Sequence, residues 1–68
     1  MDIFAERLKE LRTQNHMTQR ELSQILNVKQ QSYSRYELGT GQPSLETLCR
    51  IAEYYNVSVD YLLGITEI

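Results

Sequence analysis

Thr18-Gln19-Arg20-Glu21-Leu22-Ser23-Gln24-Ile25-Leu26-Asn27-Val28-Lys29-Gln30-Gln31-Ser32-Tyr33-Ser34-Arg35-Tyr36-Glu37-Leu38-Gly39 is the stretch on which the fold turns. Its first four residues have capping-box spacing. The Thr18 hydroxyl can accept from the Glu21 amide while the Glu21 carboxylate reaches back to Thr18, so a helix starts at Gln19. Leu22, Ile25 and Leu26 point inward at helical spacing, and Asn27, which tolerates the left-handed conformation, ends the run. Only Asn27, Val28 and Lys29 separate it from a second helix, Gln30 to Leu38. That helix carries Tyr33, Tyr36 and Glu37 on one face and Gln31, Ser34 and Arg35 on the opposite one.

Reading outward from this pair gives three more helices. Towards the N-terminus, Ile3, Phe4, Leu8 and Leu11 recur at helical spacing with Glu6, Arg7, Lys9 and Glu10 between them. Asp2 suits the N-cap, and Asn15 is the expected left-handed exit, with the break near Asn15-His16. Towards the C-terminus, Gly39-Thr40-Gly41-Gln42-Pro43 is a punctuated loop. Ser44 then caps a helix on which Leu45, Leu48, Ile51, Ala52 and Tyr55 keep the period until Asn56-Val57. Ser58 caps a last short helix, Val59 to Leu63, closed by Gly64. The chain reads as all-α, with no strand pattern and no internal repeat.

Composition bounds the function. Sixty-eight residues support one core, so residues 1–68 read as a single domain. Residues 1–28 hold four acids and four bases; residues 29–37 hold Lys29 and Arg35 against Glu37; residues 38–68 hold four acids against Arg50. An acidic C-terminal part beside a neutral-to-basic N-terminal part leaves one pole suited to phosphates. One cysteine, Cys49, and one histidine, His16, are too few for a closed zinc site, and no metal or cofactor set emerges. A lone thiol suits a reducing, cytoplasmic setting. No apolar run approaches the roughly 20 residues that span a bilayer, and residues 1–12 are unlike a signal peptide. Cys49 lies beside the apolar stripe of its helix and is expected to be partly buried.

The ordered residues Thr18-Gln19, Glu21-Leu22-Ser23, Leu26, Val28 and Gln30 resemble the XRE family, which contains the DNA-binding domains of lambdoid phage repressors and Cro proteins. The match continues through Ser34-Arg35-Tyr36-Glu37, Gly39, Pro43-Ser44-Leu45-Glu46-Thr47-Leu48 and Val57 to Leu63. The resemblance implies a five-helix, lambda-repressor-like domain whose second and third helices form the helix-turn-helix. It implies a double-stranded DNA partner and a role as a transcriptional regulator, a repressor, rather than an enzyme. It also implies that Gln19 fixes its helix end against a phosphate, that Gln30-Gln31-Ser32 opens the recognition helix, and that Arg12 and Glu37 form a buried structural ion pair. Lys29 stands where the family has a Ser or Thr cap, and Tyr33 where it has an aliphatic residue.

Side-chain chemistry supports the same reading. In the major groove glutamine can pair with adenine N6 and N7, and arginine with guanine O6 and N7. Gln30, Gln31 and Arg35 supply those groups, Ser34 can bond locally, and Lys29 can reach the backbone. The same exposed Gln and Ser residues also describe an ordinary solvated helix face. Tyr36 is expected to pack its ring inward and send its hydroxyl to solvent or phosphate. The loop from Leu38 to Gln42 lacks Lys and Arg, so the backbone amides of Gly39 and Gly41, with Thr40 between them, are the expected phosphate donors there.

A second reading is a protein-docking module, an antitoxin or the partner of another regulator. Tyr61, Leu62, Leu63, Ile65 and Ile68 form an apolar C-terminal cluster, expected either to make a homodimer contact or to cover the core. A dimer would read a pseudo-palindromic operator. No small-molecule ligand is evident, and the chain reads equally as a stand-alone regulator or as a fragment of a longer one.

Overall fold

A computed structural model describes residues 2–68. Five helices follow one another: α1 Ile3–Gln14, α2 Gln19–Leu26, α3 Gln30–Leu38, α4 Leu45–Tyr55 and α5 Val59–Leu63, with no strand among the described residues. All but α3 start on side chains that replace missing helical acceptors. Asp2, Thr18, Ser44 and Ser58 accept from the amides of Phe4, Glu21, Thr47 and Tyr61, and Thr18 with Glu21 completes the reciprocal capping box. Their ends are set by left-handed residues: Asn27, Gly39, Asn56 and Gly64.

The first helix ends differently from the sequence expectation. Asn15 keeps a negative φ of −96°, and the left-handed residue is His16, at φ 57°. The Met17 amide donates to Arg12 O and the His16 amide to Thr13 O, a cap that requires the residue after Asn15 to turn left-handed.

The core gathers one face of every helix. Leu8, Leu22, Leu26, Tyr33, Ile51 and Leu62 are fully enclosed, with Phe4, Tyr36, Leu48 and Ala52 around them. Each enclosed Leu or Ile contributes roughly 1.5–3 kcal/mol by leaving water. Helix α3 packs against α1 and α2, while α5 closes the far side against α1 and α4.

Several sequence expectations are corrected. Ile25 is 45% exposed, because the inward row of α2 is Leu22, Ser23 and Leu26, with the Ser23 hydroxyl donating to Arg20 O. Leu45 is 81% exposed, since it sits at the first turn of α4, before the helix meets the core. Cys49 is exposed, flanking a buried stripe of Thr47, Leu48, Ile51 and Ala52. Leu62 is enclosed in the core and cannot belong to an outward cluster; it is the residue that seats α5.

The C-terminal tail is fastened by a residue the sequence reading passed over. The Arg7 guanidinium donates through Nη1 to the carbonyls of Tyr61 and Thr66 and lies 4.2 Å from the Tyr61 ring centroid. It leaves Leu63, Ile65 and Ile68 facing outward. No described helix is long and apolar enough to cross a membrane.

Candidate nucleic-acid interface

The turn between α2 and α3 is closed by its own backbone, with Arg50 Nη1 donating to Leu26 O at 3.4 Å. Asn27 adopts φ 57° and ψ 45°, its amide and that of Val28 donate to carbonyls at the end of α2, and the half-buried Val28 packs against the core. Lys29 precedes α3 in extended conformation and, having no side-chain acceptor, does not cap it; its ammonium has no hydrogen-bond partner among the described residues.

Two tyrosines fix which way α3 faces. Tyr33 and Tyr36 bury their rings inward, in an edge-to-face pair with centroids 6.1 Å apart. Their burial turns Gln30, Gln31 and Arg35 outward into solvent, with Ser34 half-buried beside them. Gln31 and Arg35 are four residues apart and share a face. The Arg35 guanidinium has no hydrogen-bond partner among the described residues, while Arg35 O accepts from the amides of Thr40 and Gly41. The structure therefore places all four sequence-predicted base-reading residues on one helix, three of them fully open to a ligand.

Behind that face lies a polar cluster centred on Glu37. Arg12 Nε donates to Glu37 Oε2 at 2.6 Å and Arg12 Nη2 to Oε1 at 3.0 Å, with side chains only 13% and 4% exposed. Tyr33 donates its hydroxyl to Oε2, and Gln19 Nε2 donates to Oε1 at 3.0 Å. Arg12 Nη1 also donates to Met17 O at 2.9 Å, which ties the α1–α2 turn to the same group. Burial pushes the Glu37 carboxyl up, but the donors from Arg12, Tyr33 and Gln19 outweigh it and hold it below its ordinary value of 4.5. Hydrogen bonding to Glu37 raises the Arg12 guanidinium further, and burial first, then Glu37, pushes the Tyr33 hydroxyl up. No buried side-chain nitrogen or oxygen among the described residues lacks a partner.

Two sequence expectations change here. The amides of Gly39, Thr40 and Gly41 all donate back to carbonyls of Tyr36 and Arg35, which removes them as phosphate donors. They are engaged because the end of α3 must satisfy its own carbonyls, and the Thr40 hydroxyl is what the loop still offers. The Gln19 amide is engaged with Glu37, a contact the sequence reading did not foresee. The Tyr33–Glu37 spacing of four residues was the visible signal for the other missed bond.

Known proteins share this arrangement. A profile described as helix-turn-helix matches residues 8–62. The chain is 41% identical over 65 residues to the HTH-type transcriptional regulator ImmR of Bacillus subtilis, covering 96% of this chain and 51% of that protein. It is 31% identical to the cryptic phage CTXphi transcriptional repressor RstR of Vibrio cholerae, covering 96% of this chain and 59% of that one. The crystal structure of a transcriptional regulator from Listeria innocua superposes with a TM-score of 0.86 at 33% identity, covering 90% of this chain and 57% of that one. The chain thus spans somewhat over half the length of each of these three proteins. With the profile covering most of its residues and a solved relative sharing its backbone, the chain belongs to the helix-turn-helix family.

Proposed function

We propose that this chain is a sequence-specific, double-stranded DNA-binding transcriptional regulator, a repressor, that reads the major groove with α3. The observation that carries the reading is the division of α3: Tyr33 and Tyr36 are buried, and Gln30, Gln31 and Arg35 stand open with the groups that pair to adenine and guanine edges. Lys29, the Thr40 hydroxyl, the rim of Tyr36 and the second N–H of the Gln19 amide, its first being given to Glu37, supply backbone contacts. The scarcity of cations in the α3–α4 loop predicts a shallow salt dependence, since each phosphate contact adds about 0.9 to the slope. Residues 1–68 act as one domain in the cytoplasm, as a homodimer through Tyr61, Leu63, Ile65 and Ile68. The dimer presents two recognition helices about 34–36 Å apart to a pseudo-palindromic operator.

The test is selection of binding sites from random duplex DNA at about 50 mM salt, followed by titration of the winner with wild type, Gln30→Ala and Arg35→Ala. Enrichment of a two-fold-symmetric site, with each substitution relaxing one base position, supports the reading. A folded protein that enriches no sequence refutes it. That result would favour the protein-docking alternative, for which the exposed Leu63, Ile65 and Ile68 are the candidate surface.

A further inference from the structure

Gln19 makes the one side-chain to side-chain hydrogen bond that joins α2 to α3 among the described residues, from Nε2 to Glu37 Oε1 at 3.0 Å. It ties the first turn of α2 to the last turn of α3. At their other ends the two helices are joined by Asn27, Val28 and Lys29. The recognition helix is therefore joined to α2 at both ends, by the turn at one and by a single amide at the other, where Arg12 also anchors Glu37 to α1. The buried rings of Tyr33 and Tyr36 hold the inner face, but apolar contact is non-directional and resists sliding and tilting weakly. The directional restraint comes from the bonds on Glu37.

Those bonds form a closed set. Oε2 accepts from Arg12 Nε and the Tyr33 hydroxyl, and Oε1 from Arg12 Nη2 and Gln19 Nε2. An ionised carboxylate only accepts, so Gln19 must present its NH2 end, and one rotamer of the amide is selected. The Tyr33 hydroxyl fills the last position on a carboxylate that Arg12 has already anchored to α1.

We propose, resting on the DNA-reading function above, that Gln19, acting through Glu37 and the hydroxyl of Tyr33, positions α3 for base reading and thereby sets sequence discrimination. Geometry gives the magnitude. Arg35 lies about 7–8 Å along the helix from Gln30, at 1.5 Å per residue. A swing of about 10° about the turn would move Arg35 by roughly 1.3 Å, enough to break a bidentate contact near 2.9 Å. Lys29 sits at the pivot and reaches a phosphate on a flexible stem, so it absorbs the same swing. Losing the strap therefore costs discrimination more than it costs general affinity, most of all at the base pair read by Arg35.

The experiment uses the full chain and the duplex selected above, with a scrambled duplex of equal length. Affinities of wild type, Gln19→Ala, Tyr33→Phe and the double variant are measured for both duplexes at one salt concentration, with helicity checked by circular dichroism. Tyr33→Phe keeps the ring and removes only the hydroxyl. Each single variant is expected to lower the selected-to-scrambled affinity ratio about tenfold, the low end for one hydrogen bond to a charged group. The double variant should lose no more than the larger single loss. Weakening by Gln19→Ala that leaves the selected-to-scrambled ratio unchanged, the pattern of a phosphate contact and nothing more, overturns the proposal. So does a Tyr33→Phe protein that folds and keeps the wild-type ratio; if Tyr33→Phe loses helicity, the ratio for Gln19→Ala alone decides. A wild type that selects no sequence refutes the DNA-reading function itself, a result separable from either of these.

Discussion

The guanidinium of Arg12 grips the carboxylate of Glu37 in parallel, at 2.6 and 3.0 Å, across the gap between α1 and α3. Both charges are almost withdrawn from water, so each depends on the other. Glu37→Gln should cost about 3–5 kcal/mol, because Arg12 is then left as an uncompensated buried charge. Replacing both partners together by leucine and methionine should cost less than Glu37→Gln alone. Urea unfolding followed by circular dichroism checks both; an unchanged midpoint for Glu37→Gln would remove the pair as a source of stability.

The same carboxylate sets an acid limit. Its folded value lies below the ordinary 4.5, so its contribution is fully present above that value and is lost as pH falls through the folded one. The melting temperature of wild type should therefore drop as the pH is taken below the ordinary carboxyl value of 4.5, and Glu37→Gln should show a flatter profile there. Equal slopes for the two proteins would place the acid sensitivity on other carboxylates.

Much of this was legible in the sequence because capping is local chemistry. Asp2, Thr18, Ser44 and Ser58 cap as their spacing implies, and Asn27, Asn56, Gly39 and Gly64 are left-handed where the apolar period stops. The outward face of α3 was legible for the same reason, since two tyrosines three residues apart can only face one way on a helix. What could not be read depends on how helices sit against each other. Gln19 and Glu37 are 18 positions apart, and only the crossing of α2 with α3 brings them together. Ile25 looked inward because any apolar residue beside Leu26 does, and the packing chose Ser23 instead. The amides of Gly39 and Gly41 looked free because a loop's bonds back to its own helix are not written in its composition.

Gly64 and Gly39 both end helices with positive φ, at 82° and 78°, yet they should respond differently to alanine. A Cβ on Gly64 would meet Ile3 Cγ2 at 2.9 Å, whereas one on Gly39 would meet Asp2 Cβ at an ordinary 3.4 Å. Both substitutions incur about 1 kcal/mol of backbone strain, and Gly64→Ala adds a steric clash that forces α5 away from α1. Thermal unfolding should rank Gly64→Ala clearly below Gly39→Ala. A reversed order would mean that Ile3 yields freely to the added methyl.

Arg7 is the last determinant, and its effect should be local. Its side chain bridges the Tyr61 and Thr66 carbonyls beneath a cation–π contact, while its approach to Glu67, at 3.6 Å to a 94% exposed side chain, adds little. Arg7→Ala should release the tail, so that amides of residues 65–68 exchange with deuterium faster, with a global loss of about 1–3 kcal/mol. Arg7→Lys keeps the charge but not the planar guanidinium that stacks on the Tyr61 ring while its Nη1 serves both carbonyls, and should restore less than half of the protection. Because both carbonyls are neutral, raising the salt concentration should leave the difference between wild type and Arg7→Ala unchanged; a difference that salt abolishes would assign the tail's docking to Glu67 instead.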